Sequence, residues 1–137
     1  MRLQRIVCIT FGLLLALASA FPQDSPEALI QATKDWLKNS STGARDELNA
    51  LMDAHCLMTT PAGDVLSKER LVPTDVSKPV QKLPAMDLNG PIARVFGDTG
   101  VVMSRLRPSE GPTLNATFVF VSRQGVWKLV AVQLSPR

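Results

Sequence analysis

Arg94, Arg105 and Gln133 are the residues whose types best suit ligand chemistry, because two guanidiniums and a carboxamide together can hold a carboxylate or another anion. His55 is the single histidine, and its ordinary pKa suits a general base near neutral pH. It follows Leu48 by seven positions and Leu51 by four, on the apolar stripe of a helix read over 44–54, so it is expected to face inward. With no carboxylate or metal partner in view, the same residue also reads as structural. Cys56 would need a neighbouring base and a lowered pKa to act as a nucleophile. Adjacent residues on a strand point to opposite faces, so His55 does not supply that base and Cys56 reads as a buried small hydrophobe. No Cys, His or Asp spacing resembles a metal site, and no cofactor is expected.

These groups are carried by two kinds of element. Asp24 or Ser25 caps a helix over 26–38, Pro26 suits its first turn, and Leu29, Ala32, Trp36 and Leu37 form its apolar stripe. The run 39–43 is expected to break it. After the helix at 44–54 the period changes from 3.6 to 2. Strands are expected at 56–60 and 65–67, then a short helix at 68–72 and a loop at 73–79. Pro84 confines the next strand, 80–88, to an edge or a bulge. Strands at 92–96, 101–106, 114–121 and 126–134 complete the chain, with tight turns at 97–100 and at Gln124-Gly125. Helices first and hairpin-linked strands after make an α+β domain, with N-terminal helices packed on a curved antiparallel sheet.

Register follows from the turns. A two-residue turn at Gln124-Gly125 sets Arg123 opposite Val126, and Arg107 is read opposite Leu114. One face of the sheet then carries Arg94, Met103, Arg105, Phe118 and Gln133, and with Trp36 from the helix these form the expected pocket. Met52, Met58 and Met86 read as core or pocket wall. The other face carries Val102, Val119, Val121, Val130 and Val132. An apolar sheet face on a soluble domain calls for a cover, and a second copy, face to face, is the economical one; the C-terminal tail or loops are the alternative. Asn115-Ala116-Thr117 matches a glycosylation sequon but falls on a strand, where it is expected to stay unused.

The chain opens with Arg2 and Arg5, an apolar run over 6–18, and Ala18-Ser19-Ala20, the pattern of a cleaved secretory signal at 1–20. The run is about thirteen residues, shorter than the roughly 20 that span a bilayer. Cleavage leaves a single domain over 21–137 without Cys8, Arg2 or Arg5, with basic residues one ahead of acidic ones. That near-neutral balance argues against nucleic acid, and removal of the apolar run argues against stable membrane insertion. A secreted or periplasmic destination is expected. With Cys56 as the one remaining cysteine, the fold must rest on its core, which a 45% apolar composition can supply.

Two helices followed by a curved sheet that ends Gly125-Val126-Trp127-Lys128-Leu129-Val130-Ala131 resemble the nuclear-transport-factor-2-like superfamily, with its ketosteroid-isomerase-like and SnoaL-like members and cystatin-like cone. Thr60-Pro61-Ala62-Gly63, Lys68 and Arg94-Val95-Phe96-Gly97-Asp98-Thr99 are similar to the pattern of a narrower group, the domain family of unknown function 4440. The resemblance implies a pocket at the mouth of the cone. Its isomerases use a carboxylate base and a tyrosine; this chain has no Tyr, and the register places no Asp or Glu on the pocket face. Three readings stand. The first is a non-catalytic binding domain for an apolar ligand that can carry an anionic group. The second is a lyase, isomerase or hydrolase with His55 as base and Arg105 polarising a carbonyl. The third is a structural domain with a filled cone.

Overall fold

The computed structural model describes residues 24–137; the expected signal segment, with Arg2, Arg5 and Cys8, lies outside them. Helix α1 spans Pro26–Thr42. The Ser25 hydroxyl accepts a hydrogen bond from the Ala28 N–H, Pro26 occupies the first turn, and Glu27 faces the positive helix end. The helix runs past the break expected at 39. The Ser41 and Thr42 hydroxyls donate back to the Lys38 carbonyl, and Ser40 is buried. Termination waits for Gly43, whose φ of 73° allows the left-handed cap that returns its N–H to the Asn39 carbonyl.

Helix α2 covers Arg45–Leu51 and β1 covers Met52–Thr59, so the second helix stops three residues earlier than its periodicity suggests. Burial decides this: Met52, Cys56 and Met58 all enter the core, which strand geometry achieves from this end of the sheet. Strand β2 (Val65–Ser67) and helix α3 (Lys68–Leu71) follow as expected. The strand expected over 80–88 begins only at Met86. Residues 80–85 instead form a strap, held where the Gln81 N–H donates to the Leu71 carbonyl and the Leu83 N–H to that of Ser40. Strands β3 (Met86–Phe96), β4 (Thr99–Pro108), β5 (Leu114–Arg123) and β6 (Val126–Pro136) complete the sheet.

The architecture is α+β, with strand order β2-β1-β6-β5-β4-β3. The sheet is mixed and departs from the antiparallel expectation at one pair: β1 runs parallel to β6. Chain direction explains it, because β1 enters from the end of α2 and is joined to β6 by no hairpin. The β3–β4 and β5–β6 hairpins use two-residue turns. Gln124 (φ 53°) and Gly125 (φ 76°) are left-handed together, while Gly97 (φ 60°) opens the tighter turn that sets Phe96 opposite Thr99.

β1 shifts register against β6 between Met52 and Leu57, and two bulges elsewhere accompany the bend of the sheet into a cup. One lies in β3 between Asn89 and Ile92, where Gly90 takes φ 64° before Pro91; the other lies in β6 at Val130, between the Phe120–Leu129 and Val119–Ala131 pairs. Pro91 is tolerated because β3 is an edge strand. The inner face packs on α1, with Leu29, Trp36, Val102, Leu106, Phe118 and Leu129 all nearly or completely buried. Gly100 admits α1 closely: a Cβ there would lie 2.5 Å from Leu29 Cδ2.

Candidate functional site

Trp36 and Phe118 meet inside the cup as the pocket reading supposed, but they pack on each other edge to face, with centroids 5.9 Å apart at 69°. Behind them, between Trp36, Leu48 and Leu83, about 10 Å³ of free space remains, roughly one water. The interior beneath α1 is therefore filled.

Space opens farther along the inner face, at the end away from Gly100. There a cleft of about 390 Å³ lies between the strap and the loop joining β4 to β5. Its floor is Met58, Leu66, Met86, Leu114 and Leu134. Its rim includes Pro61, Pro84, Pro108 and Pro112, which hold the edges without backbone donors. Gln81 and Thr60 add polar side chains, and Glu110 is the one charged residue on the lining. The volume falls within the range of small-molecule sites, and the lining is mainly apolar. Sequence reasoning had Met58 and Met86 as core or pocket wall and Leu114 on the inner face. It missed the rim, although the clustering of prolines in loops on either side of the strands was the available signal.

The guanidinium and carboxamide group falls elsewhere. Arg94, Met103, Arg105 and Gln133 lie on the outer, exposed face of the sheet, opposite to the face the register assigned. Two single-residue slips account for this. Leu114 pairs with Leu106 and leaves Arg107 aside, which turns β4 and β3 over relative to β5. The Val130 bulge then puts Val132 and Leu134 inside, in the places assigned to Ala131 and Gln133. Val102 and Val132, expected on the outward apolar face, are accordingly core residues, while Val119 and Val121 stay half-buried on the outer face and Val130 sits in the bulge. His55 is exposed on β1, away from the cleft, because the helix that would have aimed it inward ends at Leu51.

Asp53, beside His55 in β1, is nine-tenths buried. Its carboxylate accepts hydrogen bonds from the His55 backbone N–H at 3.0 Å and from Arg123 Nε at 2.7 Å. These hold its pKa below the ordinary 3.8, the backbone bond contributing most and Arg123 next. The carboxylate is thus committed to structure. Its stabilisation is complete above the unfolded pKa and is lost as pH falls through the lower folded value. Asp53→Asn is expected to cost about 1 kcal/mol at pH 7. The gap from wild type should narrow as pH falls below the ordinary carboxylate value of 3.8 in urea unfolding; a gap that stays constant as the pH is lowered would show that the charge contributes nothing.

Cys56 is buried, and desolvation, with a smaller push from the Asp53 charge, raises its thiol to about 12, leaving it protonated and unreactive. Lys68 donates to the Met52 carbonyl and ties α3 to β1. Among the described residues no three His, Cys, Asp or Glu side chains converge as a metal site would need, and no helix is long and apolar enough to cross a membrane.

No family model and no curated relative matches the chain. Solved structures do. An NTF2-like protein from Cytophaga hutchinsonii superposes with a TM-score of 0.68 at 20% identity, over 81% of this chain and 97% of its own. The S. rosetta CaMKII hub gives 0.66 at 21% identity, over 88% and 100%. An NTF2-like protein of unknown function in nutrient uptake from Rhodospirillum rubrum gives 0.63 at 22%, over 80% and 98%. Near-complete coverage of each partner, with helix α1 seated in a bent mixed sheet, establishes that this chain has the NTF2-like fold.

Proposed function

We propose that this protein is an exported, non-catalytic binding domain that takes an apolar small molecule in the cleft at the mouth of its cone. The cleft carries the reading. It is open, about 390 Å³ in volume, and walled by Leu, Met and Pro side chains. A catalytic role finds less support, since the ring of His55 is exposed and the Asp53 carboxylate is already paired with Arg123. The lining holds no Lys or Arg, so a ligand bound here is expected to present an uncharged surface.

The neutral probe N-phenyl-1-naphthylamine tests this. Its fluorescence should rise saturably with wild-type protein. Leu114→Trp, which fills the cleft from a half-buried position, should weaken binding by about tenfold or more while leaving the circular dichroism spectrum unchanged. No saturable response, or an equal one from the filled variant, would overturn the assignment. Export is checked separately by the intact mass of the protein recovered outside the cytoplasm, which should correspond to a chain beginning at Phe21.

A second reading rests on a different observation. Between β1 and the β3–β4 turn the outer face of the sheet exposes Leu57 and Phe96, each at least half accessible, around half-buried Val101, Val119 and Val121. We infer that this face pairs with a second copy of the chain. The CaMKII hub and association domains among the structural neighbours are compatible with self-association.

A further inference from the structure

We propose a second ligand site, on the outer face at the β3 bulge, which holds a small carboxylate carrying an apolar body. It does not depend on the cleft. The argument begins with register. Asn89 stands opposite Arg105, and Arg105 opposite Asn115, so the three side chains form one row across β3, β4 and β5. Their neighbours Ser104, Leu106 and Ala116 point inward and are buried, which fixes the row on the outer face. Side chains directly opposite in a sheet have Cβ atoms about 4.5–5.5 Å apart, so a carboxamide flanks the guanidinium on each side.

The bulge makes room above this row. Gly90 and Pro91 carry β3 out of register between Asn89 and Ile92. The Ser104 hydroxyl, 3.1 Å from the Asn89 carbonyl oxygen, pins the strand on the near side. The result is a trough of about 430 Å³ bounded by Asn89, Ile92, Met103, Arg105, Asn115 and Thr117.

The donor set selects the ligand. A carboxylate offers about four acceptor positions on two oxygens; the guanidinium fork takes two in parallel, and two amide NH₂ groups can supply the rest. The described residues give the Arg105 guanidinium no internal partner: it takes part in no ion pair or hydrogen bond, and neither its row nor the outer-face row of Ile92, Met103 and Thr117 contains Asp or Glu. Asp87 lies in the adjoining outer-face row on the opposite side, where it stands directly across from Arg107. Ile92 and Met103, 56% and 57% exposed, line the trough beside Arg105 and offer an apolar shelf for the rest of the ligand. Arg94 stays outside the site. It lies four positions along the ladder from Arg105, roughly 13 Å at 3.3 Å per residue, and its guanidinium donates to the Ala93 carbonyl.

The test is an NMR titration of the folded domain with hexanoate, hexanamide, acetate and inorganic phosphate, following the Asn89 and Asn115 side-chain amides and Arg105 Nε. Hexanoate should shift all three saturably. Hexanamide should bind about tenfold or more weakly, having lost the charge-assisted bonds. Acetate should bind more weakly for want of the apolar shelf, and phosphate should not displace hexanoate. Arg105→Gln, an exposed substitution expected to leave the fold intact, should abolish the response. The same titration on the Leu57→Glu, Phe96→Glu chain, altered at other positions on the face, removes self-association as a confounder. A response in either chain that Arg105→Gln removes supports the site. No response in both, equal binding of hexanoate and hexanamide, or a response that survives Arg105→Gln overturns it. Tighter binding of phosphate than of hexanoate overturns the carboxylate assignment.

Discussion

Trp36→Ala is expected to lower the unfolding free energy by about 3–5 kcal/mol, the range for truncating a fully packed aromatic residue. Trp36 is 2% exposed, meets Phe118 edge to face, and joins α1 to the sheet, so the cavity left behind has few ways to collapse. Against a total stability of about 5–15 kcal/mol, the loss is a large share of what holds the domain folded. Thermal unfolding should show a fall of roughly 15 °C or more. Trp36→Phe, which keeps a ring against Phe118, should cost markedly less. Its indole N–H makes no hydrogen bond with a protein atom, so its replacement removes packing without breaking a bond. Were the alanine variant to melt within a few degrees of wild type, the packed interior described above would be wrong.

Leu57→Glu combined with Phe96→Glu is expected to abolish self-association. Both side chains lie on the outer face, 50% and 65% exposed, so the folded monomer should tolerate the change. Burying two new carboxylates against a second apolar sheet without partners costs several kcal/mol, enough for about a hundredfold loss of affinity or more. Sedimentation velocity at micromolar concentration should show a dimer for wild type and a monomer for the double variant, with melting temperatures that differ little once concentration is accounted for. A wild-type chain that sediments as a monomer throughout would remove the reading. An outer face left unpaired would then be explained by scattered surface apolar residues alone.

The two largest effects concern opposite faces of one sheet, the inner one packed on Trp36 of α1 and the outer one carrying Leu57 and Phe96. Deciding which residues belong to which face was where sequence reasoning was weakest. Ser25, Pro26 and the 3.6-residue stripe marked the start and inward side of α1 correctly. Gln124-Gly125 marked its hairpin, and Phe120 was paired with Leu129 as observed. Beyond that pair the prediction failed by one residue, because nothing in Val130-Ala131-Val132 distinguishes a bulged valine from a paired one when all three are apolar. The same ambiguity on the far side, Arg107 or Leu106 opposite Leu114, carried Arg105 and Met103 to the wrong face. His55 was misplaced for another reason. The helical stripe Leu48, Leu51, His55 competes with the burial of Met52, Cys56 and Met58, and pairing with β6 at Met52 and again from Leu57 favoured the strand.

By itself, then, the sequence determined the α+β order of elements, the amphipathic first helix, the two-residue turn at Gln124-Gly125, the inner position of Trp36 and Phe118, and the burial of Cys56. Those features are local: capping groups, periodicity and turn residues act within a few positions of one another. Tertiary structure decided the parallel β1–β6 pair, the two bulges, the sides taken by Arg94, Arg105 and Gln133, and where open space remains. Each depends on which strand lies beside which, and in what register. With a side-chain period of two, one inserted residue exchanges a pocket wall for an exposed face.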